Sequence, residues 1–177
     1  MRNLRAEVPT TRPGTIEELD GLPPDEAIAV LAPLFEGAPR FLARLAAERP
    51  FGTWDELFAR AEAIALAIPE DEQMELIDAH PRLGAPPADV SPMSFREQGY
   101  DTETQAAVGE LDRLNDAYEA RFGFRYCVFV DGRPRPELVP ELAARLTSDP
   151  VAERRRAVRD IVAIARDRHR KLTEGTP

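Results

Sequence analysis

The chain has 177 residues, 43% of them apolar and 31% charged, enough to bury one real core and too few for two comfortable ones. Its formal net charge of -9 argues against nucleic acid as a main partner, because phosphate binding needs a basic surface, and no apolar run approaches the ~18 residues of a membrane span. Cys127 is the only cysteine, so an intrachain disulfide and a cysteine-based zinc site are excluded, and with only His80 and His169 as imidazoles a metal centre is not expected.

Residues 1–15 carry Pro9, Pro13 and Gly14 among polar residues without an apolar period, so a mobile leader is expected before a domain over 16–173 and a mobile tail over 174–177. The opening stretch lacks the apolar core of a signal peptide, and a cytoplasmic protein is expected. Leu19 to Pro24 has turn composition, and Pro24 or Asp25 suits the opening of a helix that buries Ala27, Val30, Leu31 and Leu34, with Pro33 kinking or ending it. A second helix starts near Pro39, buries Phe41, Leu42 and Leu45, and stops before Pro50. A third begins at the capping box Thr53-x-x-Glu56 and places Leu57, Phe58, Ala61, Ile64, Ala65 and Ile68 inward.

Pro69 separates that helix from a short one with Met74, Ile77 and Leu76 inward. Pro81 disfavours helical geometry at the residue before it, so this helix ends at or just before His80. An imidazole at a helix C-terminus meets unsatisfied carbonyls and the negative end of the dipole, which predicts a protonated ring. The segment from Arg82 to Met93 has the composition of a loop, and Ser94-x-x-Glu97 forms a further capping box that reopens a helix around Phe95.

From about Glu103, the spacing of Val108, Leu111, Asn115, Tyr118 and Phe122 predicts one long amphipathic helix ended by Gly123. Residues 124–130 are β-branched and aromatic and close on an Asp131-Gly132 turn. With no strand partner in evidence they should lie extended outside any regular sheet, leaving backbone amides available to a ligand. Leu138, Leu142, Ala143 and Leu146 mark another helix. Asp149-Pro150 opens the last, with Val151, Val158, Ile161, Val162, Ala165 and Leu172 inward. Seven residues after Ile161 the same face carries Arg168, which needs either an anionic partner or a route to water. The expected fold is therefore all-α, a single-domain helix bundle with one short extended segment around 124–130.

Taken singly, each polar signal has an ordinary structural explanation: a helix-end histidine as a cap, Ser94 and Glu97 as a capping box, Arg168 as half of a core ion pair, residues 126–130 as core. Taken together they resemble one family. His80-Pro81-x-Leu83-Gly84, Ser94-x-x-Glu97-Gln98, Leu114-Asn115-x-x-Tyr118-x-x-x-Phe122-Gly123-Phe124 and the Glu153…Ala157…Ile164…Arg168 pattern are similar to 2-oxo-4-hydroxy-4-carboxy-5-ureidoimidazoline (OHCU) decarboxylases. Leu22-Pro23 with Ala27, and Arg49-Pro50-Phe51, extend the likeness from about Leu19 to Leu172.

The resemblance implies an all-helical, commonly homodimeric enzyme of urate (purine) catabolism. Such an enzyme uses no cofactor and converts its ureidoimidazoline substrate into (S)-allantoin with loss of carbon dioxide. It also implies that His80 and Glu97 are catalytic, the histidine as acid/base and the glutamate as its acidic partner. Pro81, Ser94, Glu97, Gln98, the backbone of Tyr126, Cys127, Val128, Phe129 and Val130, and Arg168 would then hold the substrate. Three departures stand out: Arg82, which adds a charge next to the site, Gly99-Tyr100-Asp101 after the Glu-Gln pair, and His169.

The chemistry agrees with these residue types. Decarboxylation leaves an electron pair on carbon, which normally demands a cofactor sink, and this substrate supplies its own in a conjugated ring imine. The protein must fix the leaving carboxylate, place donors where negative charge grows, and deliver a proton to one face. His80 would either activate the substrate hydroxyl or protonate the carbanion. Two other functions are compatible with the same scaffold: a helical interaction module without chemistry, and an enzyme acting on a related ureido compound.

Overall fold

The computed structural model describes residues 14–85, 89, 91–97 and 105–174, with the side chains of residues 95, 97 and 105–108 left outside that description. Among the described residues there are nine helices and no strand. The order is α1 (Ile16–Gly21), α2 (Pro24–Leu31), α3 (Pro39–Ala47), α4 (Trp54–Ala67), α5 (Glu70–Asp78), α6 (Pro92–Glu97), α7 (Gln105–Phe122), α8 (Arg135–Arg145) and α9 (Pro150–Glu174).

Helix α9 organises the bundle. Asp149 Oδ2 accepts the Ala152 N–H at 2.9 Å, and Pro150 supplies a first-turn residue that has no amide to satisfy. At 1.5 Å per residue its 25 residues run about 37 Å, long enough to pack against both α4 and α5. Ala157, Val158, Ile161, Val162 and Ala165 are its buried stripe and meet Leu57, Phe58, Ala61 and Ala65 of α4 in one core. α2 packs on α3, and α7 on α8.

Local signals explain most helix ends. Thr53 caps α4 by accepting the Glu56 N–H at 3.1 Å. The Glu56 carboxylate accepts from the Thr53 hydroxyl at 3.1 Å, so only one half of the predicted capping box forms. α5 ends two residues before His80, as Pro81 requires. At Gly84, φ is +82° and a Cβ would sit 2.8 Å from Leu111 Cδ2, so this turn needs glycine on two counts. Asp131 and Gly132, with φ of 50° and 70°, form a turn closed by the Arg133 N–H on the Val130 carbonyl at 3.0 Å.

Four expectations are corrected. The stretch from Leu19 to Gly21 is helical, not a turn, because Thr15 and Glu18 form a complete capping box that starts α1 at Ile16. Ser94 is not a cap: Ser91 Oγ accepts the Ser94 N–H at 3.1 Å, and α6 starts at Pro92, freeing the Ser94 hydroxyl. Val151 is 53% exposed, since periodicity gives the face of a helix and not how far its neighbours reach along it. Ala143 is exposed, α8 burying Leu138 and Leu142 instead. The expected leader falls almost wholly on residues outside the description, as do Gln98 and Gly99-Tyr100-Asp101.

Candidate active site

Four parts of the chain converge on one cavity: the end of α5, helix α6, the extended segment 124–130 and the C-terminal half of α9. Its empty space, open solvent at the mouth included, is about 540 Å³. His80, Pro81, Ser94, Tyr126, Cys127, Val128, Phe129, Val130 and Arg168, all named from sequence, line it. Leu83, Asp131, Gly132, Ile164, Asp167 and Lys171 line it too, and the sequence did not single them out for binding. The side chain of Glu97 and all of Gln98 lie outside the described residues, so the predicted His80–Glu97 pairing has no geometry here.

His80 is 3% exposed. Its Nδ1 lies 3.1 Å from the Leu76 carbonyl, and a carbonyl only accepts, so Nδ1 carries a proton. Nε2, on the other edge of the ring, is buried without a hydrogen-bond partner among the described residues. The helix-end argument for a protonated ring is overturned. Burial pushes the imidazole pKa down to about 4, the Arg168 charge pushes the same way, and Glu36 with the Leu76 carbonyl only partly offsets them. A neutral ring with an Nε2 lone pair is the form of a general base.

Arg168 finds its anionic partner far away in sequence. Its Nη2 donates to Glu36 Oε1 at 2.8 Å and to Ser94 Oγ at 3.0 Å, while Nη1 reaches the Pro33 carbonyl at 3.2 Å. Glu36 Oε1 also accepts from the hydroxyls of Ser94 at 2.6 Å and Ser91 at 2.8 Å. Burial raises the Glu36 carboxyl, but Arg168 and the two hydroxyls overcome it and hold its pKa below the ordinary value. Sequence reasoning missed Glu36. It sits at a positive φ of 53° in the turn after α2, where no periodicity operates, and the only signal was that Arg168 required an anion.

Arg82 and His169 lie off the cavity. Arg82 Nη2 donates to Asp116 Oδ1 at 2.6 Å and to the Asp112 carbonyl at 2.8 Å, so its charge is matched on α7. His169 turns to α4 and stacks on Trp54 with ring centroids 3.9 Å apart. Among the described residues no group of three or more His, Cys, Asp or Glu is placed to hold a metal ion, and no helix is long and apolar enough to cross a membrane.

The fold and the cavity define an all-helical domain with a buried, neutral imidazole facing a small polar site. The family model for OHCU decarboxylase matches residues 20–170, and the chain belongs to that family. It is 32% identical over 157 residues to the uric acid degradation bifunctional protein PucL of Bacillus subtilis, covering 87% of this chain and 32% of that protein. The chain thus spans about a third of the length of that relative. It is 27% identical over 157 residues to the 2-oxo-4-hydroxy-4-carboxy-5-ureidoimidazoline decarboxylase of Mus musculus, covering 84% of this chain and 85% of the mouse protein. A solved structure, that of (S)-allantoin synthase, superposes with a TM-score of 0.70 at 22% identity, over 90% of this chain and 54% of the other, which shows the shared fold.

Proposed function

We propose that this domain decarboxylates 2-oxo-4-hydroxy-4-carboxy-5-ureidoimidazoline to (S)-allantoin in urate degradation. The observation that carries this reading is the His80 geometry: one ring nitrogen tied to a helix carbonyl, the other a buried lone pair in a cavity that also holds a buried arginine. Family membership names the substrate, and the cavity's chemistry suits it.

In this reading the Arg168 charge, set in place by Glu36 and Ser94, attracts the anionic end of the substrate, and Pro81 and the 126–130 backbone confine the ring. His80 Nε2 takes the proton of the ring hydroxyl. The carbon–carboxylate bond breaks, carbon dioxide leaves, and the electron pair passes into the ring imine. As the hydroxyl carbon becomes a carbonyl, His80 returns the proton it took to the carbon bearing the ureido group, on the one face it presents, and the ring nitrogen that received the electron pair takes a proton from solvent, giving one enantiomer. Glu97, and Gln98 beside it, are assigned from the family motif as partners of His80 and of the substrate.

The test is a polarimetric assay coupled to urate oxidase and hydroxyisourate hydrolase. Adding the chain should speed formation of optically active (S)-allantoin well above the spontaneous rate, and Glu97→Gln should lower turnover by about 100-fold, the scale of one acid/base partner. No change on adding the wild-type chain would leave the interaction-module reading in its place.

A homodimer in the cytoplasm belongs to the same proposal and rests on the resemblance to the family. Light scattering should read twice the 19.7 kDa of one chain, and a monomer at micromolar concentration would remove the dimer.

A further inference from the structure

The extended segment forms one wall of the cavity with no strand beside it among the described residues, so something other than a sheet must decide which of its backbone groups turn inward. In an extended chain the N–H and C=O of one residue point to one side and those of the next to the other. Helix α9 holds the outer side. The Phe129 N–H donates to Asp160 Oδ2 at 3.2 Å, and the Cys127 carbonyl accepts from Arg156 Nη1 at 3.0 Å. The same Nη1 donates to Asp160 Oδ2 at 2.7 Å, so the two holding groups are locked to each other.

Arg156 is anchored from behind as well. Its Nε donates to Glu153 Oε1 at 2.8 Å, and that oxygen also accepts the Tyr118 hydroxyl at 2.8 Å. The peptide plane sets each N–H opposite the carbonyl before it, so the Val128 N–H points away from Arg156 and the Val130 N–H away from Arg133, whose Nη2 donates to the Phe129 carbonyl at 2.8 Å. Both residues line the cavity, and neither N–H has an acceptor among the described residues.

We propose that Asp160, held by Arg156, is a positioning residue: it sets the register of 127–130 so that the Val128 and Val130 amides form a two-donor cradle for a carbonyl or carboxylate oxygen of the substrate. This rests on the decarboxylase reading above. Backbone donors fixed before the reaction need no reorganisation as charge develops, which is where such a cradle gains over mobile side chains. Asp160 touches no substrate and acts only through the Phe129 amide.

The experiment compares wild type, Asp160→Ala and Asp160→Asn by amide hydrogen exchange without ligand, by calorimetric binding of (S)-allantoin, and by the coupled assay. In Asp160→Ala the Phe129 amide should lose its protection, allantoin affinity should fall, and kcat/KM should drop by about 100-fold, the effect of displacing reacting groups by about an ångström. Asp160→Asn keeps an acceptor for Phe129 and should recover most of all three. An alanine variant with wild-type kcat/KM, or one that loses activity while Phe129 stays protected, overturns the proposal. A wild-type chain that neither turns over nor binds would sink the decarboxylase reading and the cradle with it, an outcome told apart because it appears before any substitution is made.

Discussion

Replacing His80 by asparagine should lower kcat by about 1,000-fold, the usual weight of a positioned acid/base, and the residual allantoin should be close to racemic because no group then selects a face. Asparagine keeps a donor for the Leu76 carbonyl, so the loss is chemical and not a collapse of the α5 end. Calorimetric binding of (S)-allantoin, little changed in the variant, checks that the cavity survives.

The pH profile of the wild type carries the sign. His80 acts as a base only when neutral, and burial with Arg168 holds its pKa down to about 4. The neutral form therefore persists above that value and is lost as pH falls through it. kcat/KM, which reports ionisations of the free enzyme, should stay level from about pH 8 to about pH 5 and fall near 4. A charged His80 acting as acid from the free enzyme would give the reverse, activity present below about pH 4 and lost above it. An acid limb at the ordinary histidine pKa of about 6.5 would mean that the ring is not held neutral, and the base assignment would fail.

Removing the Arg168 charge should be the second large effect, and it separates stability from binding. Arg168→Met leaves the partly buried Glu36 without its cation and should cost about 3 kcal/mol of stability, the lower end for breaking one side of a buried pair. Glu36→Gln strands the guanidinium in the same way. Combining Arg168→Met with Glu36→Gln removes both charges and should return most of the stability, measured by denaturant unfolding. Activity should not return, because Arg168 also lines the cavity and its positive charge beside the substrate is lost in the double variant. A double variant that regains both would make the pair purely structural.

The helix pattern was legible because it is a local property. Thr53, Asp149, Pro39 and Pro150 mark helix starts by satisfying or omitting backbone amides, and a 3.6-residue stripe marks the buried face. Where expectations failed, the cause was not local. Val151 repeats Val158 at seven residues and still meets solvent. His80 does sit at a helix end, but burial and a cation from α9 outweigh the helix dipole, and neither can be weighed from the residues around it.

From its sequence alone this chain determined its all-helical class, the single extended segment, the family pattern and most residues of the cavity wall, since each is written in spacing, turn chemistry or a local motif. Only the tertiary structure decided that His80 is neutral with Nε2 as the lone pair, that Glu36 is the partner of Arg168, and that Asp160 and Arg156 hold the Phe129 amide and the Cys127 carbonyl. The physical reason is that charge state and pairing depend on burial and on groups brought close by folding. Glu36 and Arg168 are 132 positions apart in the chain and 2.8 Å apart in space.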